Sequence, residues 1–333
     1  MIAKALDFLL KTVILLALLN GIVDGLLFTQ RWVRDSVADL RAKRPELARS
    51  VIVNMAQDPG IGRTPKPIAF PDFTIAGDGR RAPRAADALP AQRRILMLGA
   101  SQAFGMHVQD KQVVSTLLEQ DHPGWEVMNY AAPGETLIGN RIRLSFLHNK
   151  GVAIDQVLVV TGLLEIGDRC LVRDPGPEKM HELALGRLFA AFGRKLTEKT
   201  ETTALATCAQ PERANALAQA IYGEMSAMLA TADSLHLPVR IVIAPTDFSR
   251  PLTAEQGLNN PVIRSRYEVL RPAYDSLRHL IVERQDPRII DMSDAFDTVE
   301  TPFIDAWSHF SPDAHKALAD LLGPLVDSYG VGK

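Results

Sequence analysis

The chain has 333 residues, 47% of them hydrophobic and 23% charged, with a formal net charge of −2. That length suits one large domain or two modest ones, and the apolar content excludes wholesale disorder. The near-neutral balance, with no arginine-and-aromatic platform, argues against a nucleic-acid partner.

Residues 1–30 read as a membrane anchor. The first 28 are apolar apart from Lys4, Asp7, Lys11, Thr12, Asn20 and Asp24. A helix over 13–28 covers roughly 24 Å, and starting it nearer Ala5 reaches the ~30 Å of a hydrocarbon core. No small-residue cleavage pattern follows the run, so an uncleaved single-pass helix is expected rather than a signal peptide. Asn20 and Asp24 lie one helical turn apart with Gly21 between them. That stripe is expected to face a partner helix, or else Asp24 sits hydrated near the far interface. Basic residues flank both ends of the run, so charge leaves its orientation open.

Residues 31–92 read as an amphipathic helix over 31–55 and then a linker over 58–92, dense in proline and glycine. From residue 93 to the end the pattern is that of one domain. Apolar runs at 95–98, 126–130, 157–161, 239–244 and 288–292 alternate with helical patterns near 110–120, 137–149, 179–196, 211–234, 262–284 and 312–327. The expectation is an α/β fold, a flavodoxin-like three-layer α/β/α sandwich with a five-stranded parallel sheet. Cys170 and Cys208 lack metal-site spacing, and in an exported chain they could form one disulfide or stay apart.

Ligands in such sheets bind beyond the carboxyl ends of the strands, where four turns carry candidate residues. The first, "LGASQAFG", puts Ser101 just after a strand. The second, "NYAAPGET", holds Gly134, whose bare N–H could approach a ligand. The third is "VVTGLLEIGD", and the last, "FIDAWSHFSPDAH", sets Asp305 four residues before His309. A serine nucleophile needs a base, and the base needs a carboxylate to hold its tautomer. The bland alternatives are that Ser101 and Asp305 are helix caps, Gly134 a turn residue and His309 a surface histidine. A dinucleotide site is disfavoured, because Ser101 replaces the middle glycine of the fingerprint. The other histidines, His107 among them, show no metal-ligand spacing and receive no role; His315 and Asp313 are expected to cap or face solvent. No metal or cofactor is expected.

These blocks resemble the SGNH (GDSL-like) hydrolase superfamily over about residues 93–328. The resemblance implies Ser101 as nucleophile, Asp305 as orienter and His309 as base, with Ser101 and Gly134 as oxyanion donors. Two departures stand out. Leu164 occupies the place of the family's asparagine, and the last motif has one extra residue between Asp305 and His309. Losing one oxyanion donor costs about 10²–10³ in turnover. With its N-terminal tether the chain looks like members that assist cell-surface polysaccharide acylation. The expected function is an exported, membrane-anchored serine esterase or acyltransferase, its catalytic domain periplasmic or extracellular. It would act on O-acetyl or related groups of an envelope glycan or lipid, beside a membrane-bound O-acyltransferase. The alternative is a degenerate binding or assembly subunit, which Leu164 favours.

Overall fold

The computed structural model describes residues 53–328 apart from 59–60, 86–87, 89, 171–207, 250–260 and 306–307. The expected membrane helix with Asn20 and Asp24, nearly all of the amphipathic helix and the helix near 179–196 lie outside the described residues. Among the described residues, no helix is long and apolar enough to cross a membrane.

Two small antiparallel hairpins come first, pairing β1 (Met55–Asp58) with β2 (Gly62–Pro65) and β3 (Ile68–Phe70) with β4 (Phe73–Ile75). There follow β5 (Arg93–Gly99), α1 (Ser101–Phe104), α2 (Val114–Asp121), β6 (Trp125–Asn129), α3 (Leu137–Asn149), β7 (Gln156–Thr161) and α4 (Leu163–Cys170). After these come α5 (Pro211–Ser234), β8 (Val239–Ile243), α6 (Pro261–Arg284), β9 (Ile289–Asp291) and α7 (Pro312–Asp327). Strands β5 to β9 form one wholly parallel sheet in the order β6-β5-β7-β8-β9, the doubly wound arrangement expected of alternating apolar runs and helices.

The period-two alternation of a strand sends neighbouring side chains to opposite faces, and two separate cores result. Leu96, Leu98, Val157, Val159, Ile241 and Ile243 pack under α3, α5 and α6 with Leu144, Ile221, Met225 and Leu277. Ile95, Met97, Leu158, Val160 and Val242 pack under α2 and α7 with Leu118, Leu318, Leu322 and Val326. Strands buried on both faces explain why the sequence reads as unbroken apolar runs rather than alternation.

The linker reading of 58–92 gives way over 61–85. Phe73 and Ile75 of β4 are buried in the same core as Ile95 and Met97. Arg81 is fully buried, ion-paired with Asp110 and stacked 3.8 Å above the Phe73 ring. Pro71 and Gly77 stand in turns, while Gly62 and Pro65 belong to β2 itself. Burial also lowers the Arg81 guanidinium to about 9, although it stays charged at neutral pH.

His315, expected to cap or face solvent, is instead fully buried on α7, where Nδ1 accepts the Val114 N–H at 3.3 Å. The helix is capped by Ser311, whose side chain accepts from Ala314 N at 3.2 Å. Burial holds the His315 imidazole down to about 3, against about 6.5 in the unfolded chain. The folded state excludes a proton that the unfolded chain binds. Stability is therefore present above about pH 6.5 and lost as pH falls toward about 3, at roughly 1.4 kcal/mol per pH unit. Urea unfolding of the wild type should show a loss of about 2 kcal/mol from this group between pH 7.5 and pH 5.0. His315→Gln should flatten that dependence; an unchanged slope would contradict the assignment.

Candidate active site

Strand β5 ends in Gly99, the residue at which the sheet reverses its winding between β5 and β7. A Cβ there would lie 2.3 Å from the Val160 carbonyl oxygen, and the backbone has a φ of +153°. Only glycine permits so close an approach. Ala100 then leads into α1, a single turn closed by Gly105 in the left-handed conformation. Ser101 is the first residue of that turn, not its cap, and its Oγ lies 2.9 Å from His309 Nε2.

His309 comes from the loop between β9 and α7. The loop folds back through an antiparallel bridge between Phe303 and Phe310, and Ile304 N donates to the His309 carbonyl at 2.8 Å. Asp305 Oδ2 sits 2.6 Å from His309 Nδ1, and its other oxygen accepts the His309 backbone N–H at 3.3 Å. A carboxylate can only accept there, so Nδ1 carries the proton and Nε2 presents a lone pair to Ser101. The four-residue spacing that departs from the family pattern therefore still closes the contact. Asp305 caps no helix, since Ser311 does so for α7.

Ser308, beside His309, adopts a φ of +57° and is buried. Its Oγ accepts the Asp247 N–H at 3.0 Å, joining the histidine loop to the turn after β8. Within that turn Thr246 and Ser249 hydrogen-bond each other at 2.8–2.9 Å. A left-handed non-glycine residue costs of order 1–3 kcal/mol and persists only where its surroundings over-determine it.

The second turn is tied to the first by Ala132 N donating to the Gly99 carbonyl at 3.1 Å. Gly134 is exposed, with a φ of +75°. Its N–H makes no hydrogen bond among the described residues, and the N–H of Ser101, at the head of its turn, has no acceptor within α1. Neither amide is spent on the fold among the described residues. Next to Gly134, the buried Glu135 pairs with Arg143 at 2.9 Å. The Glu135 side chain packs so close to Gly139 that a Cβ there would meet its Oε1 at 1.7 Å.

In the third turn the Leu164 side chain has no hydrogen to donate. Leu164 is half-buried in the first turn of α4. Its neighbour Glu165 is buried, and its carboxyl accepts the N–H groups of Leu137 at 2.9 Å and Gly162 at 3.2 Å. Burial raises its pKa, opposed by those donors. Glu165 thus pins the start of α3, and the turn before it, to the end of β7. Asn140 on α3 adds a similar tie, its Oδ1 accepting the Gly99 N–H at 3.2 Å.

His107 is brought to this site although its spacing in sequence suggested nothing. It has a φ of +67°, and its Nε2 lies 3.8 Å from Asp305 Oδ2. Its ring meets that of His309 edge-on at 5.1 Å between centroids. Arg81 holds the segment in place, donating to the Val108 carbonyl at 2.9 Å and pairing with Asp110. On the other face of the sheet, Cys170 and Cys208 form a disulfide across 5.3 Å between Cα atoms, both buried in the core under α5.

No family model matches the chain, and no curated protein does. Among solved structures it is similar to a member of the lipolytic G-D-S-L family from Veillonella parvula, at 12% identity over 68% of this chain and 94% of that one, with a TM-score of 0.40. It is similar to the esterase EstA from Pseudoalteromonas, at 13% identity over 72% and 98%, with a TM-score of 0.41. An acetyl xylan esterase matches at 12% identity over 70% and 99%, with a TM-score of 0.43.

Proposed function

We infer that the protein is a serine-dependent acyl-transfer enzyme that acts on ester bonds. One observation carries the reading: an unbroken relay from Ser101 Oγ to His309 Nε2 at 2.9 Å and from Nδ1 to Asp305 at 2.6 Å. In this reading His309 takes the Ser101 proton as Oγ attacks the acyl carbonyl. Ser101 N–H and Gly134 N–H hold the oxyanion, and the alkoxide leaves with the proton returned from Nε2. Water or an acceptor hydroxyl, deprotonated in turn by His309, then releases the acyl group from Ser101.

With two backbone donors and Leu164 in the third position, turnover is expected to be slow and best on activated esters. The substrate class we propose is O-acyl, chiefly O-acetyl, groups of an envelope glycan or lipid. Export is supported by the Cys170–Cys208 disulfide, a bond that persists in oxidising compartments, and by the apolar run at the N-terminus. Asn20 and Asp24 would then meet a membrane-bound O-acyltransferase. The apolar Leu164 favours a second reading, a binding or assembly subunit on the same fold.

Incubation with p-nitrophenyl acetate, followed by intact-mass measurement, separates the two. The enzyme reading predicts a single acetyl adduct that is lost in Ser101→Ala. Faster p-nitrophenol release on adding a polyol acceptor would mark a transferase, and release indifferent to acceptor a hydrolase. Equal background rates for wild type and Ser101→Ala would favour the binding subunit.

A further inference from the structure

The histidine without a sequence-based role changes what the triad can bind. A ring nitrogen of His107, a carboxylate oxygen of Asp305 and a ring nitrogen of His309 all lie within 4.8 Å of one another. Two imidazoles and a carboxylate are a zinc-type donor set. All three side chains are partly open to solvent, at 26%, 32% and 14%, so an ion can reach them. We propose that His107, Asp305 and His309 form a divalent transition-metal site of the zinc class whose occupancy switches the triad off.

Tetrahedral zinc, with bonds of about 2.1 Å, sets its ligand atoms roughly 3.3–3.4 Å apart. The Asp305–His309 pair, now 2.6 Å apart, would open, and the His107–Asp305 pair, now 3.8 Å, would close. Side-chain rotation supplies both changes. His107 is held for this by a left-handed backbone that Arg81 clamps through Val108 and Asp110.

The chemistry of the switch is a change of tautomer. On His309 the nitrogen facing Asp305 is Nδ1. When the metal takes its lone pair, the single ring proton of the neutral imidazole moves to Nε2 by exchange with solvent, with no net release. Nε2 then donates to Ser101 Oγ and can no longer accept from it. Ser101 stays a hydroxyl, and water completes the coordination. The site itself stands on geometry; only its consequence, inhibition, rests on the serine-enzyme reading.

The test titrates the full-length protein with Zn²⁺ by calorimetry and with Co²⁺ by visible absorption, comparing wild type, Ser101→Ala and His107→Asn. Asparagine tolerates a left-handed backbone, as does glycine in a second variant, His107→Gly. Wild type and Ser101→Ala should bind one ion alike, with tetrahedral cobalt bands. The His107 variants should bind about tenfold more weakly or worse. Saturating Zn²⁺ should also slow fluorophosphonate labelling of wild-type Ser101 by about tenfold or more, and slow the His107 variants less. Folded His107 variants that bind Zn²⁺ as tightly as wild type would overturn the site. Wild type that never labels, with or without metal, would sink the serine-enzyme reading while the binding comparison still decides the metal site.

Discussion

Replacing Ser101 with alanine is expected to lower kcat/KM on p-nitrophenyl acetate by about 10⁴–10⁶-fold, or to the uncatalysed background if that is reached first. His309→Ala should cost about as much, and the double variant should be no worse than either single one, because the residues act as a unit. Asp305→Asn isolates the tautomer. Its amide turned toward Nδ1 favours a proton on Nε2, the wrong nitrogen for accepting from Ser101, and the expected fall in kcat is about 10⁴-fold. Initial rates, with circular dichroism to establish folding, check all three. A folded Asp305→Asn variant with wild-type kcat would remove Asp305 from the relay.

The second large effect concerns stability. The Cys170–Cys208 bond closes a stretch of 38 residues, and chain-entropy arguments give such a closure about 4 kcal/mol. Both sulfurs lie in the core beneath α5, where they join the end of α4 to the segment entering that helix. Cys170→Ala combined with Cys208→Ala should lower Tm by roughly 8–16 °C, and reductant should do the same to wild type but not to the double variant. Thermal melts with and without dithiothreitol measure this. A reductant-insensitive wild type would mean that the bond is absent or contributes nothing.

Much of the fold was legible because the sheet is buried on both faces. Each strand therefore announces itself as an apolar run, and α3 and α5 occupy 137–149 and 211–234, as their periodicity predicts. The hairpins of 55–75 were not legible. Strands of three or four residues between prolines and glycines carry too few alternations to register as period two. Ser101, Asp305 and His309 were legible as candidates because each stands after a strand and two of them share one loop, and their side chains lie within hydrogen-bond distance in the order of the relay. Gly134 was legible as a candidate by its place after the second strand. His107, Asn140 and Ser308 were hidden for the opposite reason. Each comes from a segment with no catalytic spacing, and reaches the site only through the clamp of Arg81, the packing of α3 or the bond to Asp247. The disulfide stayed open in the sequence because its formation depends on a separation in space that spacing along the chain does not contain.

The central claim is that His309 activates Ser101, and covalent labelling reads it most directly. The full-length protein is treated with a fluorophosphonate, and the adduct is counted by intact mass and located by peptide mapping. One adduct per chain on Ser101 is expected, absent from Ser101→Ala and formed far more slowly in His309→Ala. A folded wild type that takes no adduct, or a Ser101→Ala variant that takes as much, would contradict the account.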